Sequence, residues 1–511
     1  MSYATVHSCT LAGVRALPVT VEVHISGGLP GMSIVGLPQS AVRESKDRVK
    51  AAIQHMGLKF PQVKIIVNLA PADLPKRGGR FDLPIALGIL QADGQLPEGA
   101  LQGLVVLGEL GLTGELRSVT GILPTAYAFA DSARSLFIPT VNVDEALRCS
   151  RTRVFAADSL QQAYSQLKQR RQEPLVLQRL HEAREPDGAL ALDARTAGAD
   201  MCDVIGQHKA RRALEIAAAG GHNLLMAGPP GTGKSMLASR LPGIQPPMSE
   251  SEAMETASIA SISYTGFDAG LWGVRPFRAP HHTASGVALV GGGSNPMPGE
   301  VSLAHHGVLF LDELTEFSRS VLDVLREPLE TGHITVSRAA RQAEFPARFQ
   351  LVGAMNPCPC GYHTDTSVRC QCTPDLIMRY QSRLSGPFLD RIDLHVDMQR
   401  ELNQAVSIQH DKGGEGSDTI RQRVVLARER QLARQAVINS ALTPLALHRH
   451  ACLDRQARAL ICEASKRLNL SLRSQHRLLR VARTIADLDG HSSVGCEHLG
   501  ESLSFRRTPL L

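Results

Sequence analysis

Gly228-Pro-Pro-Gly-Thr-Gly-Lys-Ser235 fits the phosphate-binding spacing G-x-x-x-x-G-K-[ST] at every required position. The apolar run before it, residues 224–227, predicts a buried strand, and residues 236–241 predict a helix opening directly from the loop. Gly228, Gly231 and Gly233 let the backbone curl until its N–H groups and the helix N-terminus face one set of phosphate oxygens, with Pro229, Pro230 and Thr232 completing the turn. Lys234 is expected at the β- and γ-phosphates and the Ser235 hydroxyl on a magnesium ion, so the stretch predicts ATP and Mg2+ as ligands.

Downstream, Val308-Leu-Phe-Leu311 reads as a strand covered on both faces, and it ends in Asp312-Glu313. Ligands of open α/β sheets collect at the carboxyl ends of strands, which places these acids beside the phosphates. Asp312 is expected to hold the magnesium through water and Glu313 to orient and deprotonate the attacking water. A third buried strand, residues 351–355, ends in Asn356, which can hydrogen-bond that water or the γ-phosphate.

The chain has 511 residues, 43% of them hydrophobic and 20% charged. That composition excludes a disordered chain, and the length suggests roughly two to four domains. No apolar run approaches the ~18 residues that span a bilayer, and the first residues lack a basic region followed by an apolar core. These features predict a cytoplasmic protein without a membrane partner. A net charge of +6 suits a polyanion, and with aromatics at 4% and one tryptophan, Trp272, contact would run through phosphates rather than stacked bases.

Residues 1–165 alternate strand-like and helical stretches and predict an α/β domain. Its first helix carries Arg43, Lys46 and Lys50 on one face, and the loop 76–80 is basic; a solvated surface is the expectation for both. Residues 166–200 are polar and read as a linker, residues 201–400 as the ATPase core, and residues 401–511 as a helical lid.

Within the core, the segment between the phosphate loop and Asp312 is longer than one helix and one strand require. Its Arg275-Pro-Phe-Arg-Ala-Pro-His-His-Thr283 and Gly291-Gly-Gly293 runs predict a projecting loop that offers Arg275, Arg278, His281 and His282. Residues 332–345 alternate around a basic tip and predict a hairpin presenting Arg338 and Arg341. These arginines either keep the surface soluble or touch a threaded polyanion.

Cys358, Cys360, Cys370 and Cys372 form C-x-C-x9-C-x-C, a set able to bind Zn2+ tetrahedrally, with free thiols or a redox pair as alternatives. Arg391 is either the salt-bridge partner of Asp390 or Asp393 or, as an arginine at this position acts in AAA+ modules, a group that reaches the neighbouring subunit's γ-phosphate. Arg473, at the start of an amphipathic helix with Leu472, Leu479, Ala482 and Ala486 near one face, is the candidate lid arginine contacting ATP in cis, ahead of Arg477.

Two resemblances follow from these motifs. Residues 1–165 resemble the domain shared by Lon-type proteases, the RadA recombination factor and chelatase-like ATPases, through residues 75–84 and 108–117. No serine lies between Pro75 and Pro84 and no lysine in residues 120–124, so the resemblance implies a Lon-like fold (ribosomal S5 domain 2-like) without peptidase chemistry.

Across nearly the whole chain, Gly221-His-Asn-Leu-Leu, Pro276-Phe-Arg-Ala-Pro-His-His282, Val308-Leu-Phe-Leu-Asp-Glu-Leu314, Ala354-Met-Asn-Pro-Cys-Pro-Cys-Gly361 and Val481-Ala-Arg-Thr-Ile-Ala-Asp-Leu488 resemble the YifB/ComM family of magnesium-chelatase-like AAA+ ATPases. The likeness implies a multidomain α/β protein with an AAA+ P-loop core carrying chelatase-type inserts. It implies a homo-oligomer, a hexameric ring, with an insert in the second helix and a hairpin before Asn356, both facing the pore. It further implies ATP-driven movement on single-stranded or branched DNA, with branch migration in natural transformation. The alternative is a chelatase-type ATPase that remodels a protein partner without nucleic acid.

Overall fold

Alternation of buried and exposed residues along Arg15–Ser26 buries Val19, Val21 and Val23 together, so this stretch forms a strand with one face to a core. In the computed structural model, which describes residues 2–169, 199–293, 296–338, 341–365, 368–400 and 414–506, it becomes the third strand from one edge of a seven-stranded mixed sheet. The strands are β1 (Ser2–Ala12), β2 (Arg15–Ser26), β3 (Gly31–Val35), β4 (Lys64–Ala70), β5 (Leu104–Val106), β8 (Ser135–Pro139) and β9 (Val154–Ala157). Their order is β3-β4-β2-β1-β5-β8-β9, and β6 (Glu109–Leu110) pairs with β7 (Leu116–Arg117) outside the sheet.

This sheet belongs to the first of two units, which also takes in Ala253–Trp272. Met254 joins the core cluster of Ile122, Leu123 and Ala126, with Phe267 and Trp272 packed against it, and Gly121 N donates to Ser261 O at 3.1 Å. Part of the surplus between the phosphate loop and Asp312 is therefore folded into the first unit. The basic loop 76–80 is not the solvated surface expected. Lys76 and Arg80 are buried, Lys76 donating to Pro71 O and Arg80 to Thr120 O at 2.5 Å, because backbone carbonyls at the strand ends accept them.

The second unit holds the remaining residues around a five-stranded, all-parallel sheet. Its strands are β10 (Leu224–Ala227), β11 (Phe277–Arg278), β14 (Val308–Leu311), β17 (Gln350–Met355) and β18 (Leu394–Asp397), in the order β11-β14-β17-β10-β18. Every residue of β14 and β17 is buried, as expected of parallel strands covered on both faces. Two hairpins leave this sheet. One, β12 (Gly291–Gly292) with β13 (Met297–Pro298), lies between the short helices Gly286–Val290 and Glu300–Leu303. The other pairs β15 (His333–Arg338) with β16 (Arg341–Pro346).

Residues 414–506 are helical: Ser417–Gln435, Pro444–His450, Arg455–Arg467, Leu472–Leu488 and Cys496–Ser504. Thr443, Asp454 and Ser471 cap three of these by accepting a backbone N–H. On Leu472–Leu488 the packed residues are Leu478, Leu479, Ala482, Ile485 and Ala486. Leu472, expected on that face, lies in the first turn and is exposed.

Candidate functional site

The strand order decides the site. Neighbouring β14, β17 and β10 end, at one edge of the sheet, in Asp312-Glu313, Asn356 and the phosphate loop. Residues far apart in sequence are thus set side by side at the strands' carboxyl ends, where open α/β sheets bind ligands.

Gly231 and Gly233 adopt φ of +80° and +84°, which only glycine enters without strain, and the helix Lys234–Ile244 starts immediately after. Thr232 Oγ1 donates to Pro229 O at 2.9 Å, closing the loop on itself. Gly228 packs so closely that a Cβ there would stand 2.6 Å from Met398 O.

Lys234 is largely buried. Its Nζ donates to Gly228 O at 2.7 Å, Pro229 O at 2.9 Å and Asn356 Oδ1 at 3.3 Å. Burial pulls its pKa down to about 8, against the nearby Asp312 carboxylate, which favours the charged form. Ser235 Oγ donates to Asp312 Oδ2 at 2.6 Å, so the hydroxyl and carboxylate expected to share a magnesium ion are adjacent. A hydroxyl, a carboxylate and a set of inward N–H groups suit Mg2+ held with phosphate oxygens.

Glu313 has φ of +48°, a left-handed conformation uncommon for a residue with a side chain and found at functional sites. Its N–H donates to Asp312 Oδ1 at 2.9 Å, and its carboxylate meets His282 Nδ1 at 3.0 Å. The cause is the register of β11. Phe277 pairs with Val308 and Arg278 with Leu309, and the same step carried past the strand end brings His282 to Glu313.

Within the run 275–283, expected to project, Phe277 and Arg278 form the edge strand of the sheet. Arg275 donates to Pro246 O at 2.7 Å and His306 O at 2.6 Å and meets Glu252 at 3.2 Å. Arg278 forks onto Glu300 at 2.6 and 2.8 Å. Both arginines, weighed as solubilising groups or contacts to a polyanion, are engaged within the chain. His281 alone of the four stays exposed, its ring 4.1 Å from that of His282. Arg338 and Arg341 are the last backbone register pair of β15 and β16, and the tip 339–340 lies outside the described residues.

Neither salt bridge weighed for Arg391 forms. Asp390 takes Arg477 at 3.2 Å and Asp393 takes His222 at 3.3 Å. Arg391 reaches Glu330 at 2.6 Å, and Arg473 reaches the same Glu330 oxygen at 2.7 Å. Among the described residues neither guanidinium bonds to the phosphate loop of its own chain. Arg473, expected at ATP in cis, lies beside Arg391 on the same acid. Glu330 carries no motif of its own, and only its position at the end of the helix Arg326–Thr331 marks it.

Cys358, Cys360, Cys370 and Cys372 bring their sulfurs within 4.8 Å of one another, with separations of 3.3, 3.7 and 3.5 Å among the first three. Four sulfurs about 2.3 Å from one ion lie roughly 3.8 Å apart, so the set fits a tetrahedral Zn2+ site. Backbone N–H groups of Tyr362 and Gln371 pull the Cys360 thiol down to about 6, against burial, whereas burial pushes the Cys358 thiol up.

Three family models match: magnesium chelatase, subunit ChlI, over residues 200–406; subunit ChlI of Mg-chelatase over residues 21–142; and the ChlI C-terminal region over residues 414–506. With the site geometry they define the class, a magnesium-chelatase-type ATPase with a ChlI-like N-terminal region, an AAA-type core and a helical C-terminal domain. The chain is 47% identical to protein YifB of Salmonella typhimurium over 508 residues, covering 99% of this chain and 97% of that one. It is also 47% identical to competence protein ComM of Haemophilus influenzae over 506 residues, covering 99% and 98%. A magnesium-chelatase 38 kDa subunit of Acidiphilium rubrum is 28% identical over 211 residues, 40% of this chain and 52% of that one. The chain belongs to the YifB/ComM family of magnesium-chelatase-like proteins. No described helix is long and apolar enough to cross a membrane.

Proposed function

We propose that the chain is a ring motor that hydrolyses ATP to move along single-stranded or branched DNA, driving branch migration when incoming strands recombine in natural transformation. The observation that carries the enzymatic half is the 2.6 Å bond between Ser235 and Asp312 beside Glu313 and Asn356. The DNA half leans on the likeness to a protein named for competence and on the β15–β16 hairpin that leads into β17 and thus Asn356.

In this mechanism the phosphate loop, residues Gly228 to Ser235, wraps the β- and γ-phosphates, and Lys234 exchanges Gly228 O, Pro229 O and Asn356 for phosphate oxygens. Ser235 and Asp312 would hold the magnesium ion, which would supply charge neutralisation for the phosphates. Glu313 takes a proton from the attacking water, which Asn356 helps to orient. Arg391, with Arg473 beside it, acts on a neighbouring subunit's γ-phosphate, so both serve in trans and hydrolysis requires a ring, six-membered by family likeness. For that task both leave Glu330, and Arg391 also gives up Arg326 O and Pro387 O. Zn2+ in the Cys358–Cys360–Cys370–Cys372 loop is structural. The first domain, residues 1–165, is a Lon-like module without peptidase chemistry, joined through residues 166–200 to the core 201–400, from which Ala253–Trp272 folds with the first domain, and to the lid 401–511.

The internal anchoring of Arg275 and Arg278 favours one second reading, a chelatase-type ATPase that remodels a protein partner. The test of the enzymatic half is Glu313→Gln: retained ATP binding with hydrolysis abolished supports the assignment, and unimpaired turnover rejects it.

A further inference from the structure

The four-cysteine loop is built against the nucleotide site. Cys358 follows Asn356 by two residues, and the loop returns to the phosphate loop at Gly361, whose φ is +87°. A Cβ on Gly361 would lie 2.7 Å from Pro230 Cδ and 2.9 Å from its Cγ, so the loop backbone forms the wall against which Pro230 rests. Next to it, Arg400 lies over the Tyr362 ring at 5.3 Å and donates to Pro230 O at 3.2 Å. Gln381 Nε2 donates to Pro357 O at 3.0 Å, fixing the segment between Asn356 and the first cysteine. The nucleotide side completes the circuit, since Lys234 Nζ meets Asn356 Oδ1 at 3.3 Å.

This loop has little apolar content of its own to hold it. Between Cys358 and Cys372 the side chains are mostly polar or small, and Cys358 is the only one of the four cysteines that is buried. A segment of that kind closes when a metal supplies the folding free energy, and it opens when the metal leaves. Opening would withdraw Gly361 and Tyr362 from Pro230 and loosen Asn356, two residues from the nearest ligand.

We propose that the cysteine loop is a metal-dependent brace on the phosphate loop, so that Zn2+ bound by Cys358, Cys360, Cys370 and Cys372 sets the affinity for nucleotide as well as the stability of the loop. The inference rests on the zinc reading given above and adds the coupling between the two sites. Arg400, Tyr362 and Gly361 are its positioning residues. They act through Pro230.

The experiment measures zinc content and the affinity for a fluorescent ATP analogue on the full-length protein. Three preparations are compared: the protein as purified, the same protein stripped with an organomercurial and a chelator, and the Cys370→Ser/Cys372→Ser variant. The expected result is about one zinc per chain, a loss of affinity of about ten-fold or more on stripping, and recovery on adding Zn2+. Because the cysteine variant can misfold, Arg400→Ala provides a second route. It should retain zinc and an unchanged circular dichroism spectrum yet bind the analogue several-fold more weakly. Stripped protein that stays folded and binds with unchanged affinity would overturn the coupling while leaving the zinc reading intact. A protein that neither carries nor takes up Zn2+ would overturn both, and then affinity in the cysteine variant should equal that of the parent.

Discussion

The carboxyl edge of the β14-β17-β10 strands and the Glu330 cluster use charge in opposite ways. At the strand edge, Lys234 is bonded to Asn356 and Ser235 to Asp312, two pairs whose bonds can be exchanged for those of a phosphate and its metal. At Glu330, two arginines converge on one half-exposed acid and touch nothing of their own chain's phosphate loop. A site complete in one chain holds its groups in bonds that the ligand replaces. A site that awaits a neighbour, as we propose for these arginines, holds them on a local acid: the half-exposed Arg473–Glu330 pair is of the kind worth about 0–1 kcal/mol, whereas the Arg391 side chain is buried and also donates to Arg326 O at 3.2 Å and to Pro387 O.

The two largest expected effects, similar in size, fall on the two sites in turn. Arg391→Ala should lower hydrolysis by about 10³-fold while each subunit binds ATP as before; unchanged turnover would remove Arg391 from the mechanism. At the first site, Glu313→Gln should lower turnover by about 10²–10⁴-fold with ATP still bound, and Lys234→Ala should lose ATP binding or turnover. Equilibrium binding beside steady-state rates separates these patterns.

His282→Ala sharpens the picture at the strand edge. It removes the contact that holds the strained Glu313, so it should change kcat by about ten-fold with little change in KM, as expected of a group that positions a base. A change in KM alone would place His282 in ATP binding instead. The smallest effect is expected from Glu330→Gln. Melting should shift by no more than about 4 °C, and hydrolysis should hold or rise because both arginines are released. A ten-fold fall would mean that Glu330 aims them.

The phosphate loop, Asp312-Glu313 and Asn356 were legible in the sequence because each is a short run attached to one buried strand. Apolar runs ending in polar residues mark strand ends, and parallel α/β topology then brings those ends together. The edge strand β11 was not legible. It is two residues long and flanked by Pro276 and Pro280, so no period develops and the prolines argue for a loop. Register with β14 decides what Arg275, Arg278 and His282 touch, and register is a tertiary property.

The packing of Ala253–Trp272 into the first unit was hidden for a related reason. Met254, Phe267 and Trp272 are scattered apolar residues whose partners lie more than a hundred positions away. Residues 420–435 are rich in arginine, and the sequence does not show what they meet: Arg423, Arg428 and Arg434 are engaged by Glu215, by the carbonyls ending the helix His208–Gly220, and by Asp487.

The most direct measurement of the central claim is the ATPase rate with and without single-stranded and forked DNA at two salt concentrations, beside the Glu313→Gln control. Phosphate contacts release counterions, so the account predicts stimulation by DNA that falls steeply with salt. A rate indifferent to DNA, with no DNA binding at low salt, would contradict the DNA motor and leave an ATPase that works on a protein partner.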